Sequence, residues 1–301
     1  MSAFNSLVSI VIPVYNGSNY LKEAIDSALA QTYSNIEVLV INDGSDDNNA
    51  THNIALSYGD KIKYYKKENG GVSSALNLGL TMMRGDYFSW LSHDDIYVEK
   101  KIEKQVNFFL KNPDKLIVTG HFESLDFNNK VTIFSYEKNF IFENGWDVLT
   151  KWNHFCAMLI NKKCFMNLRF NEKNSDSQDL EMQLQLVKRH KIYSISEIVL
   201  RQRVHWSSGT YLDLKSHLKR KKVFIKNLIP TYGFDFFKPK KIENPTEYKI
   251  LVMFGDFYMK NSQVNISRYY YCKALLKKPY SIKIILFILF GKLGWNFFYR
   301  W

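Results

Sequence analysis

Cysteine is scarce in this chain of 301 residues. Cys156, Cys164 and Cys272 form an odd set without a CxxC pair. Such a set builds neither a disulfide framework nor a thiolate metal site, and it suits a reducing compartment. Long uncharged runs are missing too. The apolar run at 284–290 has seven residues, against the ~20 a membrane span requires. The opening segment MSAFNSLVSIVIPVYNG has no basic region before its apolar run, which argues against a secretory leader. Neither GxGxxG nor GxxxxGK[ST] occurs at the expected turns, so the usual phosphate-cradling loops are absent, as is the Gly-rich N-terminal loop of a sugar nucleotidyltransferase. No internal repeat, low-complexity linker or nucleic-acid-binding motif is visible.

What is present is enough for a large packed core: 46% hydrophobic and 16% aromatic residues. The net charge of +12 is unevenly placed. Residues 215–301 carry 18 Lys and Arg against 4 Asp and Glu, leaving 23 basic and 25 acidic residues in the first 214. The basicity therefore describes what the C-terminal third touches.

The first half alternates strand and helix. LVSIVIPVY (7–15) and IEVLVIND (36–43) are continuous apolar, β-branched runs, as strands buried on both faces of a parallel sheet must be. A helical pattern with Leu21, Ile25, Ala28 and Leu29 follows the first strand. A second helix runs to about Tyr58, KIKYYKK (61–67) reads as a third strand, and a Gly-rich entry opens a helix within 70–85. DYFSWL is the fourth strand. This order predicts βαβ units and an α/β fold of Rossmann-like type: a mostly parallel central sheet with helices on both faces. Farther on, two strands flank the Asn128-Asn129 turn, HFCAMLINKKCF reads as a strand leading into a short helix, and SDSQDLEMQLQLVKRH as a helix despite its alternating Leu and Met. Beyond about Tyr211 the composition shifts to Lys-rich amphipathic helices. The expected division is an α/β domain at 1–210 and a helical basic extension with a membrane-interface tail at 211–301.

In such sheets ligands sit beyond the carboxyl ends of the strands. Three polar clusters fall there: Tyr15-Asn16, Asp43-Gly44-Ser45 and Asp94-Asp95. The last pair can be a turn before a helix N-terminus, since Asp caps helices well, or the oxygen ligands of a hard cation. Without a Gly-rich loop, an anionic ligand in this crevice needs a metal to neutralise it, which favours the second reading.

The segments VSIVIPVYNGSNYLKEAIDSALAQTYSNIEVLVINDGSDD, ENGGVSSALNLGL, GDYFSWLSHDD and QDLEMQLQL resemble, in order and spacing, those of glycosyltransferase family 2. These are inverting nucleotide-sugar transferases of GT-A fold, and the likeness is to the bacterial surface-polysaccharide type. The resemblance covers about residues 7–205. It implies that Pro13, Tyr15 and Asn16 line the nucleotide base pocket, that Asp43 bonds the base, and that Asn69, Gly70 and Asn77 lie along the ribose and phosphate path. The family's Asp-x-Asp motif falls on Ser92-His93-Asp94, so Ser92 replaces its first acid. Asp94 is then the ligand for Mg²⁺ or Mn²⁺, with Asp95 helping at the sugar and His205 as a second contact to metal or diphosphate. Leu76 stands where many relatives have Arg. Asp179 matches the general base.

Each assignment has a plainer alternative in the residues themselves. Asp43 can be turn chemistry, Asp179 a helix cap, His205 a structural histidine and His93 an exposed bystander. Trp152 and Trp206 can be packing residues or can stack on a sugar ring. Cys156 and Cys164 read as core. The basic tail from Lys273 onward fits a solvated helical face or, better, an interfacial segment against anionic headgroups. The expected protein is thus a cytoplasmic, peripherally membrane-associated transferase. It moves a sugar from a nucleoside-diphosphate donor, UDP favoured, to a glycan or lipid-linked acceptor, and it binds no nucleic acid. A catalytically decayed nucleotide-sugar-binding scaffold, motivated by Ser92 and Leu76, and a peripheral membrane or polyanion-binding platform are the competing readings.

Overall fold

The computed structural model describes residues 6–127, 130–151, 153–174, 176–208, 214–239, 246–260, 263–279 and 281–291. The Asn128-Asn129 turn, Trp152, the 210/211 boundary and the tail beyond 291 lie outside the described residues. The chain divides into two compact units: residues 1–143 with 151–213, and residues 144–150 with 214–301.

The first unit is built on a sheet of ten strands among the described residues. They are β1 (Val8–Val14), β2 (Ile36–Asn42), β3 (Lys63–Lys66), β4 (Tyr87–Trp90), β5 (Ile96–Tyr97), β6 (Ile117–Leu125), β7 (Val131–Phe134), β8 (Ile141–Phe142), β9 (Met158–Asn161) and β10 (Ile192–Arg203). The order across the sheet is β3-β2-β1-β4-β9-β6-β10-β5, with β7 beside β6 and β8 beside β10. β1 is buried along its whole length, as its continuous Val/Ile run requires. It pairs in parallel with β2, Val8 opposite Ile36, and with β4, Val8 opposite Tyr87. β9 is antiparallel to both β4 and β6, and β6 is parallel to β10. β1, β2, β3, β4, β6 and β10 therefore all run one way, and their carboxyl ends share one edge. β9 runs the other way, so the residues that precede it emerge at that same edge.

Helices α1 (Leu21–Leu29), α2 (Ala50–Leu56), α3 (Val72–Met82) and α4 (Lys101–Lys111) connect the early strands, and α6 (Gln178–Val187) precedes β10; the short α5 (Gly145–Thr150) belongs to the second unit. α3 lies on β1 and β2, and α4 on β6 and β10. The approach of α3 is close: a Cβ at Gly79 would stand 2.4 Å from Val11 Cγ1. Gln178–Val187 is helical despite its alternating Leu and Met, because Gln, Glu, Leu and Met all favour helix and the segment has the length of one.

The second unit contains α5, α7 (Leu214–Tyr232), α8 (Glu247–Lys260), α9 (Val264–Lys277) and α10 (Ile282–Phe290). α8 and α9 meet through Gly255, where a Cβ would stand 2.3 Å from the Tyr271 ring, and Ser267 Oγ donates to the Gly255 carbonyl at 2.7 Å. Leu276, Ile285 and Leu289 stay exposed in this unit. Among the described residues no helix is long and apolar enough to cross a membrane.

Candidate active site

The carboxyl ends of β1 and β2 are stitched together by short polar side chains. Asn16, in the left-handed region at φ 48°, donates its backbone N–H to Ser45 Oγ at 3.0 Å. Its amide and Asp46 bond reciprocally: Asn16 Nδ2 donates to Asp46 Oδ1 at 2.6 Å, and Asp46 N–H to Asn16 Oδ1 at 2.9 Å. Tyr15 beside them is exposed, its hydroxyl 3.4 Å from the same Oδ1. Pro13 is buried within β1, opposite Ile41.

Asp43 forms the floor of this region and is only 2% exposed. Its Oδ1 accepts from Lys67 Nζ at 2.7 Å and from the Gly70 N–H at 3.1 Å. Its Oδ2 is buried without a hydrogen-bond partner. Simple turn chemistry does not produce an orphaned buried carboxylate oxygen, which is costly and asks for a donor from a ligand. Gly44 (φ 75°) lets the 67–70 loop approach: a Cβ there would lie 2.6 Å from the Asn69 nitrogen. Asn69 and Gly70 are exposed at the rim. Asn77, in α3, is tied to a later segment. Its amide donates to Phe170 O and Glu172 Oε1 and accepts from the Phe170 N–H, so it pins the 170–172 segment. Leu76 belongs to the core.

Beyond β4 the chain turns through Ser92, His93, Asp94 and Asp95. Asp94 Oδ2 and His205 Nε2 lie 3.0 Å apart, and Ser207 Oγ is 2.8 Å from His205 Nδ1. At this distance the two bond directly when Nε2 carries the proton; with the proton on Nδ1, given to Ser207, the Nε2 lone pair and the Asp94 carboxylate are both available as ligands. An oxygen and an imidazole nitrogen are a donor set that Mg²⁺ or Mn²⁺ accepts, so these two residues fit a divalent ion. Tyr20 packs on the His205 ring at 4.6 Å between centroids and carries the Arg203 guanidinium over its own ring at 4.3 Å.

His93 corrects an expectation. It is not exposed: its ring lies across Gly17, where a Cβ would stand 2.3 Å from His93 Cδ2. Burial lowers its pKa, the Asp94 charge opposing and His205 assisting. Asp95 is only 3% exposed. Its Oδ1 accepts the Arg203 N–H at 3.1 Å, and its Oδ2 is 3.9 Å from His154 Nε2. Burial and the Asp94 charge push its pKa well up, against the Arg203 N–H and charge. Ser92 Oγ contacts the buried Cys156 Sγ at 3.4 Å.

His154 is the residue that sequence reasoning missed. It precedes β9, the one strand of the central path between β4 and β6 that runs backwards, and so reaches the carboxyl edge from the opposite direction. Its Nδ1 accepts the Cys156 N–H at 3.2 Å, which leaves the Nε2 proton facing Asp95. Burial lowers its pKa while the charges of Asp179 and Asp94 raise it, so all three groups share one electrostatic environment. Asp95, His154 and Cys156 also hold ligand atoms within 4.8 Å of one another. Only the His–Cys proximity in NHFCAM could have signalled this beforehand.

Asp179 is the second residue of α6, inside the helix; the cap position is Ser177. The capping alternative for Asp179 is therefore not what the structure shows.

Comparison with known proteins agrees with this architecture. The family described as Glycosyl transferase family 2 matches residues 9–168. A Rickettsia felis protein named "Uncharacterized glycosyltransferase" is 45% identical over 217 residues, which cover 70% of this chain and 36% of that one. The Minor teichoic acid biosynthesis protein GgaB of Bacillus subtilis is 32% identical over 208 residues, covering 64% of this chain and 22% of that one. The chain thus spans about a third or less of the length of these relatives. Among solved structures, S. aureus TarS 1–349 in complex with UDP superposes with a TM-score of 0.58 at 15% identity, covering 90% of this chain and 91% of that one, a likeness of fold. With its GT-A sheet and a family match over more than half its length, this chain belongs to glycosyltransferase family 2.

Proposed function

We propose that this protein transfers a sugar, with inversion, from a nucleoside-diphosphate donor to a glycan or lipid-linked acceptor. The observation that carries the reading is the convergence, at one sheet edge, of the orphaned Asp43 Oδ2 with the Asp94–His205 pair. Asp43 Oδ2 would accept the imide N–H of a pyrimidine base, with Tyr15 and Asn16 flanking it. UDP is the favoured nucleotide, supported by the UDP complex of the TarS neighbour. Asp94 and His205 would hold Mg²⁺ or Mn²⁺, which when bound supplies positive charge for a diphosphate. Asp179 is the general base: its carboxylate takes the proton of the acceptor hydroxyl as the new C–O bond forms at the anomeric carbon and the sugar–phosphate bond breaks, its electron pair leaving on the diphosphate oxygen. Relatives such as GgaB support an acceptor belonging to a surface polysaccharide.

Membrane-surface association is the second element of the proposal. It is supported by the basic C-terminal third and by the exposed Leu276, Ile285 and Leu289 among its lysines. Deleting 273–301 should shift the protein from the membrane to the soluble fraction; unchanged fractionation would argue against it.

The donor site is tested by thermal stabilisation with UDP, GDP, dTDP and CDP, each with Mn²⁺ or chelator, on wild type, Asp43→Asn and Asp94→Ala. Stabilisation that needs Mn²⁺ and Asp94 supports the reading. No nucleotide response under any condition would move the weight to the binding platform, and nucleotide binding without turnover to a decayed enzyme.

A further inference from the structure

Asp179 is the second residue of α6, and its carboxylate forms no hydrogen bond or ion pair with any described residue. A catalytic base is ordinarily oriented by a third group that bonds to it. Here nothing grips the carboxylate itself, so its place is set by the helix that carries it. Whatever fixes α6 fixes the base.

Gln183 stands four residues after Asp179, on the same face of α6 one turn on. It is 2% exposed, and among the described residues its amide bonds to Asn153 alone. Asn153 Nδ2 donates to Gln183 Oε1 at 3.0 Å, and Gln183 Nε2 donates to the Asn153 carbonyl at 3.3 Å. The sheet holds Asn153 in turn. Its Oδ1 accepts from Thr119 Oγ1, in β6, at 2.7 Å and from the Tyr136 hydroxyl at 3.0 Å. Both lone pairs of Oδ1 and one amide N–H are thus engaged, which leaves Asn153 a single orientation.

The chain that follows Asn153 meets the same helix. α6 packs on the Phe155–Ala157 turn, and the Asp179 charge reaches His154. Asp179 and Gln183 therefore face one stretch of chain at successive turns. Apolar side chains of the same shape would seat the helix about as firmly. Paired amides add direction, so α6 can neither slide nor roll without breaking them. A slip of ~1 Å would carry Asp179 with it, and displacement on that scale can cost about 10²-fold in rate.

We propose that Asn153 and Gln183 are the positioning residues of the general base, their paired amides holding α6 in the register that keeps Asp179 at the acceptor hydroxyl. The inference rests on the glycosyl-transfer reading above and deepens it: the base is aimed through its helix.

The test is hydrolysis of UDP-glucose, UDP-galactose and UDP-N-acetylglucosamine by the full chain with Mn²⁺, read as UDP released. Water then takes the acceptor's place. Its oxygen bonds to the anomeric carbon, the sugar–phosphate bond breaks with its electron pair on the diphosphate oxygen, and Asp179 takes the proton. Gln183→Met keeps the volume and removes both bonds to Asn153. Thr119→Val keeps the shape, removes one bond to Asn153 Oδ1, and is the milder variant should the first fold poorly. Gln183→Met should lower kcat by about 10–10²-fold, and Thr119→Val by less. KM for the donor and UDP–Mn²⁺ stabilisation should stay at wild-type values in both. Added to Asp179→Asn, Gln183→Met should lower the rate no further, because the clamp acts only through the base. Full kcat in both variants, a raised KM in place of a lowered kcat, or a further loss on top of Asp179→Asn would overturn the proposal. The two readings fail separately. A wild type that releases UDP from none of the three sugars overturns both. Turnover that depends on Asp179 but not on Gln183 or Thr119 overturns this one alone.

Discussion

Asp94 Oδ2 and His205 Nε2 lie 3.0 Å apart although 111 residues separate them along the chain. Parallel β4 and β10 end at one edge and bring them there. If they share a divalent ion, His205→Ala should raise the Mn²⁺ concentration for half-maximal stabilisation by nucleotide at least tenfold, the scale on which disturbed metal sites respond. Ser207→Ala, which removes the partner of Nδ1, should give a smaller shift in the same direction. Titrating Mn²⁺ at fixed UDP and following the melting temperature checks both.

Asp179 should matter for chemistry alone. Asp179→Asn keeps the size and the helix position while removing the base, so turnover should fall by about 10²–10⁴. Nucleotide stabilisation should be unchanged. A parallel loss of UDP binding in this variant would contradict the assignment.

Glu37 gives a pH-dependent contribution to stability away from the site. Burial raises its pKa, but Lys63, the Ser9 hydroxyl and the Arg84 N–H outweigh burial and hold it at about 2, against 4.5 normally. The folded state thus favours the carboxylate: the stabilisation is complete above 4.5 and fades as the pH falls toward 2. Glu37→Gln should cost on the order of 2 kcal/mol at neutral pH, and the difference from wild type should shrink through that acid window. Urea unfolding at pH 7 and pH 3 measures it.

Lys101 acts with the same sign in a higher pH window. Its ammonium is fully buried, bonded to Ser89 Oγ, Gln105 Oε1 and the Met158 carbonyl at 2.8–3.1 Å. Burial lowers its pKa to about 7 from 10.5. Between those values the unfolded chain holds a proton that the folded one has released, so Lys101 makes stability rise with pH. Lys101→Met should remove that rise. Urea midpoints of wild type and variant at pH 7 and pH 9 decide it.

Much of this protein was legible in residue order. The Val/Ile runs of β1 and β2 admit little but buried parallel strands, because such runs have no polar face to give to water. Tyr15, Asn16 and Asp43 follow such runs directly, and Asp94 lies just beyond β4, so their place at the sheet edge follows from strand direction alone. The remainder depended on long-range pairing. His154 joins the edge because β9 runs antiparallel between β4 and β6, and a strand's direction within a sheet is set by its partners, not by its own residues. Lys101, on an amphipathic surface pattern, is buried because Ser89, Gln105 and Met158 close around it. The Phe127–Trp206 stack requires the β6–β10 register, and the bond from the Arg203 N–H to the buried Asp95 requires β10 to pass beside it. Local sequence determines which segments are strands and what ends them. Which side chains then meet is decided by sheet order and register, since these couple residues that no short-range pattern connects.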